Sequence, residues 1–440
     1  MVAQVMIPEK FDVIVVGAGP AGITAALVLA QEGIKVALFE RGEQPGVKNM
    51  FGGVMYYSDA LNQLLPDFWK EAPIERYITR HTITFLTSTS SVSVSLKDEE
   101  FSQPPYNGFT LLRAKFDQWY AEKAQEAGAF LIPQTVVDDL VWDSNKVIGI
   151  KARRSEGIVY ADAVIVADGV NSLIAKKAGL RKKFPCTSFA VAAKELLTLP
   201  AEVIEERFGL SGDEGIAQTF VGACTQGLEG GAFLFTNKNS LSLGIVAKLS
   251  SLQESKISIF DILENFKSNS IIEQAISSAD LKEYSGHLIP EGGLNMVPKL
   301  CGNGILLVGD AAGFLLSTGI NLEGMNFAIA SGFAAGQALK IACQKGDFSK
   351  KTLAVYKDLL NESFVLQDLK TFRHTPSLLA NSRIYETYPS LFCGVAKKIF
   401  QVNGHPKKKF MSLVKEEMKG KISMWHLAKD LIQAGRSLLW

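Results

Sequence analysis

The feature that most constrains this chain is Phe11 to Glu40, FDVIVVGAGPAGITAALVLAQEGIKVALFE. Val13 to Val16 reads as a short buried strand. It runs into Gly17, Gly19 and Gly22, then into a helix reaching about Glu32, and a second strand from Lys35 to Phe39 ends on Glu40. Each residue type has a job in holding a dinucleotide. Gly17 permits the sharp turn, Gly19 lets the backbone approach a pyrophosphate, and Gly22 lets the helix lie close on the strand. The helix, opening at Pro20 and Ala21, offers unpaired N–H groups and a positive dipole end to phosphate. Glu40 stands 23 residues after Gly17, where an acid hydrogen-bonds ribose hydroxyls. A glycine-rich turn in a buried core is the plain structural alternative. Val13 to Gln31 is also uncharged and long enough to imitate a membrane span, but Gly-Pro-Ala-Gly in its middle argues against one.

Two later segments turn the dinucleotide into FAD. In Ala161 to Leu180, ADAVIVADGVNSLIAKKAGL, a strand ends on Asp168-Gly169 and a helix starts after Asn171-Ser172. In GILLVGDAAG, from Gly304, a strand ends on Gly309-Asp310. A buried strand that stops on an acid delivers a carboxylate to the cofactor edge. Either segment alone reads as a strand ending in a polar turn. The three in this order resemble the large superfamily of FAD enzymes that includes aromatic hydroxylases, geranylgeranyl reductases and electron-transfer flavoprotein–quinone oxidoreductases. That resemblance implies that Asp310 contacts the ribityl chain. It also implies that the turn Ser317-Thr318-Gly319-Ile320-Asn321 aims a helix N-terminus at the flavin pyrimidine, where the dipole stabilises the negative charge of reduced flavin.

Composition narrows the class. At 440 residues the chain can hold two domains, and 47% hydrophobic content excludes a disordered protein. The five cysteines (Cys186, Cys224, Cys301, Cys343, Cys393) are scattered and form no C-x-x-C pair, so a chain-borne iron–sulfur cluster or structural zinc is not expected. Five isolated histidines suggest no metal site, and His287 and His374 read as ordinary structural residues. The opening MVAQVMIPEKFD lacks the apolar core of a signal peptide, so a reducing cytosol is the expected compartment.

The chain between the flavin segments supplies a second domain. Residues 79–96, 190–194 and 230–248 alternate and are β-branched, reading as antiparallel strands with Asn237-Lys238-Asn239 as a turn. A helix is expected from near Arg113 to Gly128, and residues 348 onward read as largely helical. The expected fold is therefore α/β: a Rossmann-like FAD-binding domain of glutathione-reductase type 2 (residues 1–77, 105–185 and 296–345), an inserted antiparallel sheet (78–104 and 186–295) and a helical C-terminal segment (346–440).

Charge is unevenly spread. Residues 394–440 carry ten Lys or Arg against three acids, a net of +7, although the whole chain is only +1. Leu391, Phe392, Val395, Ala396, Ile399 and Phe400 recur at helical spacing, with Lys397, Lys398 and Gln401 opposite. Trp425, Ala428, Leu431, Ile432, Gly435, Leu438 and Leu439 repeat the pattern, with Lys429, Asp430, Gln433 and Arg436 opposite. Such helices either lie in an anionic membrane interface or pack on their own domain, and the pattern alone leaves both open.

A narrower resemblance follows from Glu40-Arg41-Gly42, Pro45-Gly46-Val47-Lys48-Asn49 and Gly52-Gly53-Val54-Met55-Tyr56. To these are added the FLFTNKNSLSLGIV strand pair, EGGLNMVPKL at Glu291, Gly324-Met325, AIASG at Ala328, LKTFRHTP at Leu369 and Tyr388-Pro389. Along nearly its whole length the chain resembles the FixC-type flavoprotein dehydrogenases of the electron-transfer flavoprotein–quinone oxidoreductase family. The resemblance implies FAD contacts at Gly17, Gly19, Pro20, Ala21, Gly22, Glu40, Arg41, Arg113, Val137, Asp168, Gly169, Gly309 and Asp310. Gly319, Ile320 and Asn321 would lie at the pyrimidine end, and Lys48, Asn49, Gly52 and Gly53 near the flavin. No general acid is identified. It further implies electron transfer from the α and β subunits of an electron-transfer flavoprotein, helped by a ferredoxin-like FixX partner, to membrane quinone. No nucleic acid is expected, and the place implied is the inner face of the cell membrane, held peripherally on anionic lipid. Two departures stand out. Glu323-Gly324-Met325-Asn326 replaces the family's usual Arg before Gly-Met-Asp, and the cysteine-rich cluster domain of mitochondrial relatives is lacking. The competing readings are an NAD(P)H-dependent reductase or hydroxylase of the same fold and a non-catalytic FAD-bearing scaffold. The aromatic signature associated with geranylgeranyl reductases is missing, because the corresponding strand reads GGAFLFTNK.

Overall fold

The computed structural model describes residues 10–47, 52–153 and 157–438. The valine run before Gly17 is buried on both faces, as a central parallel strand requires: Val13, Ile14 and Val15 are all 0% exposed. It belongs to Lys10–Val16, in the middle of an eight-stranded sheet. The order is Cys301–Gly302, Ile305–Leu307, Ile158–Val166, Lys10–Val16, Val36–Phe39, Phe130–Ile132. From Ile305–Leu307 to Phe130–Ile132 the neighbours are parallel. Lys146–Ala152 and Val137–Asp143 extend this sheet as an antiparallel ribbon.

The helix Pro20–Gln31 covers the sheet and is itself covered by Met325–Lys345. Glycine makes that crossing possible. A Cβ at Gly332 would stand 2.1 Å from the Ala21 carbonyl oxygen, and one at Gly336 would stand 2.6 Å from Val28 Cβ. From the helix Arg113–Glu126, the Tyr120 hydroxyl reaches the Thr24 hydroxyl at 2.8 Å.

The second sheet has nine strands. Their order is Asp280–Pro290, Phe189–Thr198, Ser240–Lys248, Gly230–Thr236, Glu214–Gly222, Ile74–Leu86, Gly108–Leu112, Gly52–Tyr56, with Ser91–Lys97 also on Ile74–Leu86. Side chains alternate across it. Leu234, Leu241, Leu243 and Ile245 pack with Ile262, Leu263 and Phe266 of the helix Ile259–Lys267. Phe233, Phe235 and Val246 face the other way, into a cavity.

Two details differ from the expectation. Glu214–Gly222 pairs parallel with Ile74–Leu86, so the sheet is mixed rather than purely antiparallel. Between those strands the chain crosses into the first sheet and returns, which is the long crossover a parallel pair needs. Gly52–Tyr56 and Gly108–Leu112, placed by sequence within the dinucleotide-binding unit, pair with the second sheet instead.

The described residues beyond 345 are largely helical. The last three helices are Thr387–Phe400, Phe410–Met418 and Met424–Leu438. Among the described residues no helix is long and apolar enough to cross a membrane.

Candidate functional site

A single cavity of about 1360 Å³ lies between the two sheets. Ordinary small-molecule sites occupy about 300–1,000 Å³, so this one has room for a dinucleotide and a second ligand. Gly52 aside, its wall contains every described residue singled out from sequence as a cofactor contact, and Gly52 opens the strand Gly52–Tyr56. Lys48 and Asn49 lie outside the described residues.

The cradle is built as the motif requires. Gly17 has φ +108°, and a Cβ there would stand 2.3 Å from the Ala167 carbonyl oxygen. At Gly22 it would stand 2.0 Å from the Gly17 carbonyl oxygen. Gly19, by contrast, opens onto free space, as do Gly53 and Gly169. The helix Pro20–Gln31 has no side-chain cap. Its first N–H groups therefore point into the cavity with their partial positive charge. Glu40 is tied at both oxygens, accepting from Ala18 N at 3.0 Å and Gly42 N at 2.7 Å. This fixes the carboxylate at the cavity wall beside Arg41 and Val137.

Asp168 and Asp310 follow neighbouring parallel strands, at the carboxyl ends where ligands bind in open α/β sheets. Asp168 is partly spent: its Oδ2 accepts from Ile174 N at 2.8 Å, which caps the short helix Leu173–Lys177. Its Oδ1 is buried without a partner. The Asp310 carboxylate makes no hydrogen bond among the described residues. Burial pushes both carboxyls up to about 6, against the pull of Arg181 on both and of Arg113 on Asp310. Two buried carboxyls with open acceptor positions, beside an uncapped helix, fit the ribityl and pyrophosphate portions of FAD. Arg113 holds Asp117 through two contacts, 2.9 and 2.6 Å, and faces the cavity between the sheets.

The 317–321 turn is placed differently from the expectation. It is the tip of a hairpin between Leu316–Ser317 and Leu322–Glu323, with Thr318 Oγ1 accepting from Asn321 N at 3.0 Å. The helix begins only at Met325, after Gly324, and has no side-chain cap. Gly319, Ile320 and Asn321 thus line the cavity as hairpin residues, and the helix N-terminus follows them. Glu323 accepts from Asn326 Nδ2 at 2.7 Å, and burial raises its carboxyl.

Sequence reasoning passed over four residues. Arg181 donates to the Asp310 and Ala311 carbonyls, both at 2.9 Å, and to Ser172 Oγ, fixing the turn that carries Asp310. Lys194 lines the cavity from the second sheet, and its signal was a charge breaking the apolar run Phe189 to Ala193. His287, read as structural, faces the same cavity, and burial with Lys194 and Arg113 pushes it down to about 4. Tyr385 is 5% exposed and closes one side, donating to the Leu379 carbonyl at 2.8 Å.

The two facings left open by the sequence both occur in the tail. Leu391 and Val395 pack inward with Met418, while Phe400 is 83% exposed. In the last helix the expected polar-face residue Asp430 is buried, held by Arg383 at 2.6 Å and Tyr388 at 2.5 Å. Trp425, Leu431 and Ile432 stand 67%, 63% and 56% exposed.

A glycine cradle on a parallel sheet, facing acids at two further strand ends, defines an FAD-dependent oxidoreductase. Residues 12–182 match the family described as FAD dependent oxidoreductase, and residues 375–439 match the ETF-QO/FixC family C-terminal domain. The chain is 42% identical over 428 residues to Protein FixC of Escherichia coli O157:H7, covering 94% of this chain and 99% of that one. It is 41% identical over 433 residues to the probable electron transfer flavoprotein-quinone oxidoreductase YdiS of Escherichia coli K12, covering 98% and 100%. The chain therefore belongs to the FixC/electron-transfer flavoprotein–quinone oxidoreductase family. A geranylgeranyl bacteriochlorophyll reductase-like structure from Thermoplasma acidophilum shares the fold, with TM-score 0.74 at 21% identity over 97% of this chain and 99% of that one.

Proposed function

We propose that this protein takes electrons from an electron-transfer flavoprotein, aided by a ferredoxin-like FixX partner, and passes them through FAD to a membrane quinone. One observation carries the reading: one continuous cavity runs from the glycine cradle to an apolar sheet face and meets the C-terminal segment at Leu379, Ile384 and Tyr385. FAD, when bound, supplies carriage of one or two electrons. The chain's own residues hold and orient. Gly17, Gly19, Gly22 and the helix they open take the pyrophosphate, Glu40 the ribose, and Asp168 and Asp310 the hydroxyls nearer the ring. Phe233, Phe235 and Val246 exclude water from the space beyond it.

The exposed tail supports docking of this cavity at a membrane surface. Phe400, Phe410, Met411, Trp425, Leu431 and Ile432 are exposed apolar side chains on the segment that carries the +7 balance. Apolar groups enter the headgroup boundary while surface cations contribute about 1 kcal/mol each against anionic lipid. Docking is tested with anionic vesicles. Binding is expected to fall as salt rises, and removal of residues 424–440 should weaken it while FAD stays in place. An intact chain that ignores vesicles, or a truncation that strips FAD, refutes docking. Electron delivery is tested separately, by anaerobic mixing of the reduced holoprotein with a quinone analogue.

A further inference from the structure

The cavity face of the second sheet is apolar around one ammonium. Lys194 sits opposite Gly244, and Gly244 sits opposite Phe233. A Cβ at Gly244 would stand 2.4 Å from the Phe233 ring, so the glycine is what lets that ring lie flat on the sheet. Lys194 Nζ then rests 5.6 Å from the ring centroid. Phe235 stacks on Phe233 at 4.7 Å and continues the apolar floor. Among the described residues Lys194 has this ring contact and neither a hydrogen-bond acceptor nor a carboxylate partner. A half-buried ammonium so placed lacks an acceptor, and it points into a space large enough for a second ligand.

Its neighbours do not supply one. His287 pairs with Ala192 and is therefore the diagonal neighbour of Lys194 on the same face. It is held neutral near pH 7 by burial and two adjacent cations. Arg113, across the cavity, is committed to Asp117. Glu195, next in sequence, points to the opposite face and pairs with Lys267 at 2.9 Å.

We propose that Lys194 is a catalytic residue: it meets the carbonyl oxygen of the quinone and delivers a proton as that carbonyl is reduced. The inference rests on the electron-path reading above. Two electrons leave reduced FAD, which is oxidised, and enter the quinone, which is reduced. An N–H bond of the ammonium breaks as an O–H bond forms on the carbonyl oxygen. The amine recovers its proton from water, the quinone's second oxygen takes its proton from solvent, and the N–H proton of the reduced flavin is released to solvent as the ring is oxidised. Burial, with Arg113 nearby, pulls the Lys194 ammonium down to about 8, which suits a donor working near neutral pH.

The test uses full-length holoprotein carrying Lys194→Met or Lys194→Arg. FAD content, dithionite bleaching and turnover of a short-chain quinone analogue are followed from about pH 6 to 10. The parent should lose turnover above about pH 8. Lys194→Met should keep FAD and bleach like the parent, while kcat/KM falls about 100-fold and the decline above pH 8 disappears. Lys194→Arg should move that decline upward beyond the range. Parent-like turnover and pH profile in Lys194→Met would overturn the role. So would loss of FAD in Lys194→Met with retention in Lys194→Arg, because the lysine would then be a cofactor contact. A parent that reduces no quinone removes the electron-path reading, and Lys194's role with it.

Discussion

Asp168 and Asp310 end adjacent strands and share one electrostatic problem. Both are pushed up to about 6 by burial. A raised carboxyl makes the folded chain hold a proton that the unfolded chain has released above about pH 4. Its contribution to stability is present below about pH 4 and is lost as pH rises through about 6. Asp310→Asn should therefore raise the melting temperature of the FAD-free protein at pH 7.5 by about 1–3 °C, with little change at pH 4. Calorimetry at the two pH values checks this, and equal shifts at both would refute it. In the holoprotein, Asp310→Ala should weaken FAD retention far more than Lys409→Ala does. These acids were legible because each ends an apolar strand and turns on glycine. Arg181 was not, since the carbonyls it holds lie 129 and 130 residues further along the chain.

At the scale of elements, the first strand–helix–strand unit was legible nearly residue for residue. Its glycines and valines are local in sequence. The mixed second sheet was legible strand by strand but not in its order, because the parallel pairing of Glu214–Gly222 joins segments separated by the whole first-sheet excursion. The last helix shows a different limit. Its stripe at 3.6-residue spacing was correct, but periodicity does not say which face meets the protein. Arg383 and Tyr388 arrive from another segment and draw Asp430 inward, turning the apolar stripe outward. That clamp holds the Asp430 carboxyl down to about 2, so its stabilisation is present above about pH 4 and is lost only as pH falls through about 2. Asp430→Ala leaves Arg383 and Tyr388 without the carboxylate that joins them and should loosen the docking of the last helix. Hydrogen exchange should report faster opening of Met424–Leu438 with the FAD domain unchanged. Unaltered protection would mean that the ion pair does not hold the helix.

At the scale of the whole molecule, the chain builds two sheets by passing between them, and the cavity is the product of that interleaving. Gly52–Tyr56 and Gly108–Leu112 leave the dinucleotide-binding segments to join the second sheet. The cradle and the apolar face with Lys194 thus form one wall-to-wall space. The proposed path, in which electrons held on FAD leave through this space to an apolar quinone, is tested by anaerobic stopped-flow. Holoprotein reduced with dithionite, freed of excess reductant and mixed with a short-chain quinone analogue should regain its oxidised flavin spectrum in proportion to the quinone added, whereas NADH or NADPH alone should not bleach the oxidised protein. A flavin that stays reduced in the presence of quinone, or that NADPH bleaches rapidly without a partner protein, would contradict the account and favour an NAD(P)H-dependent reductase or hydroxylase.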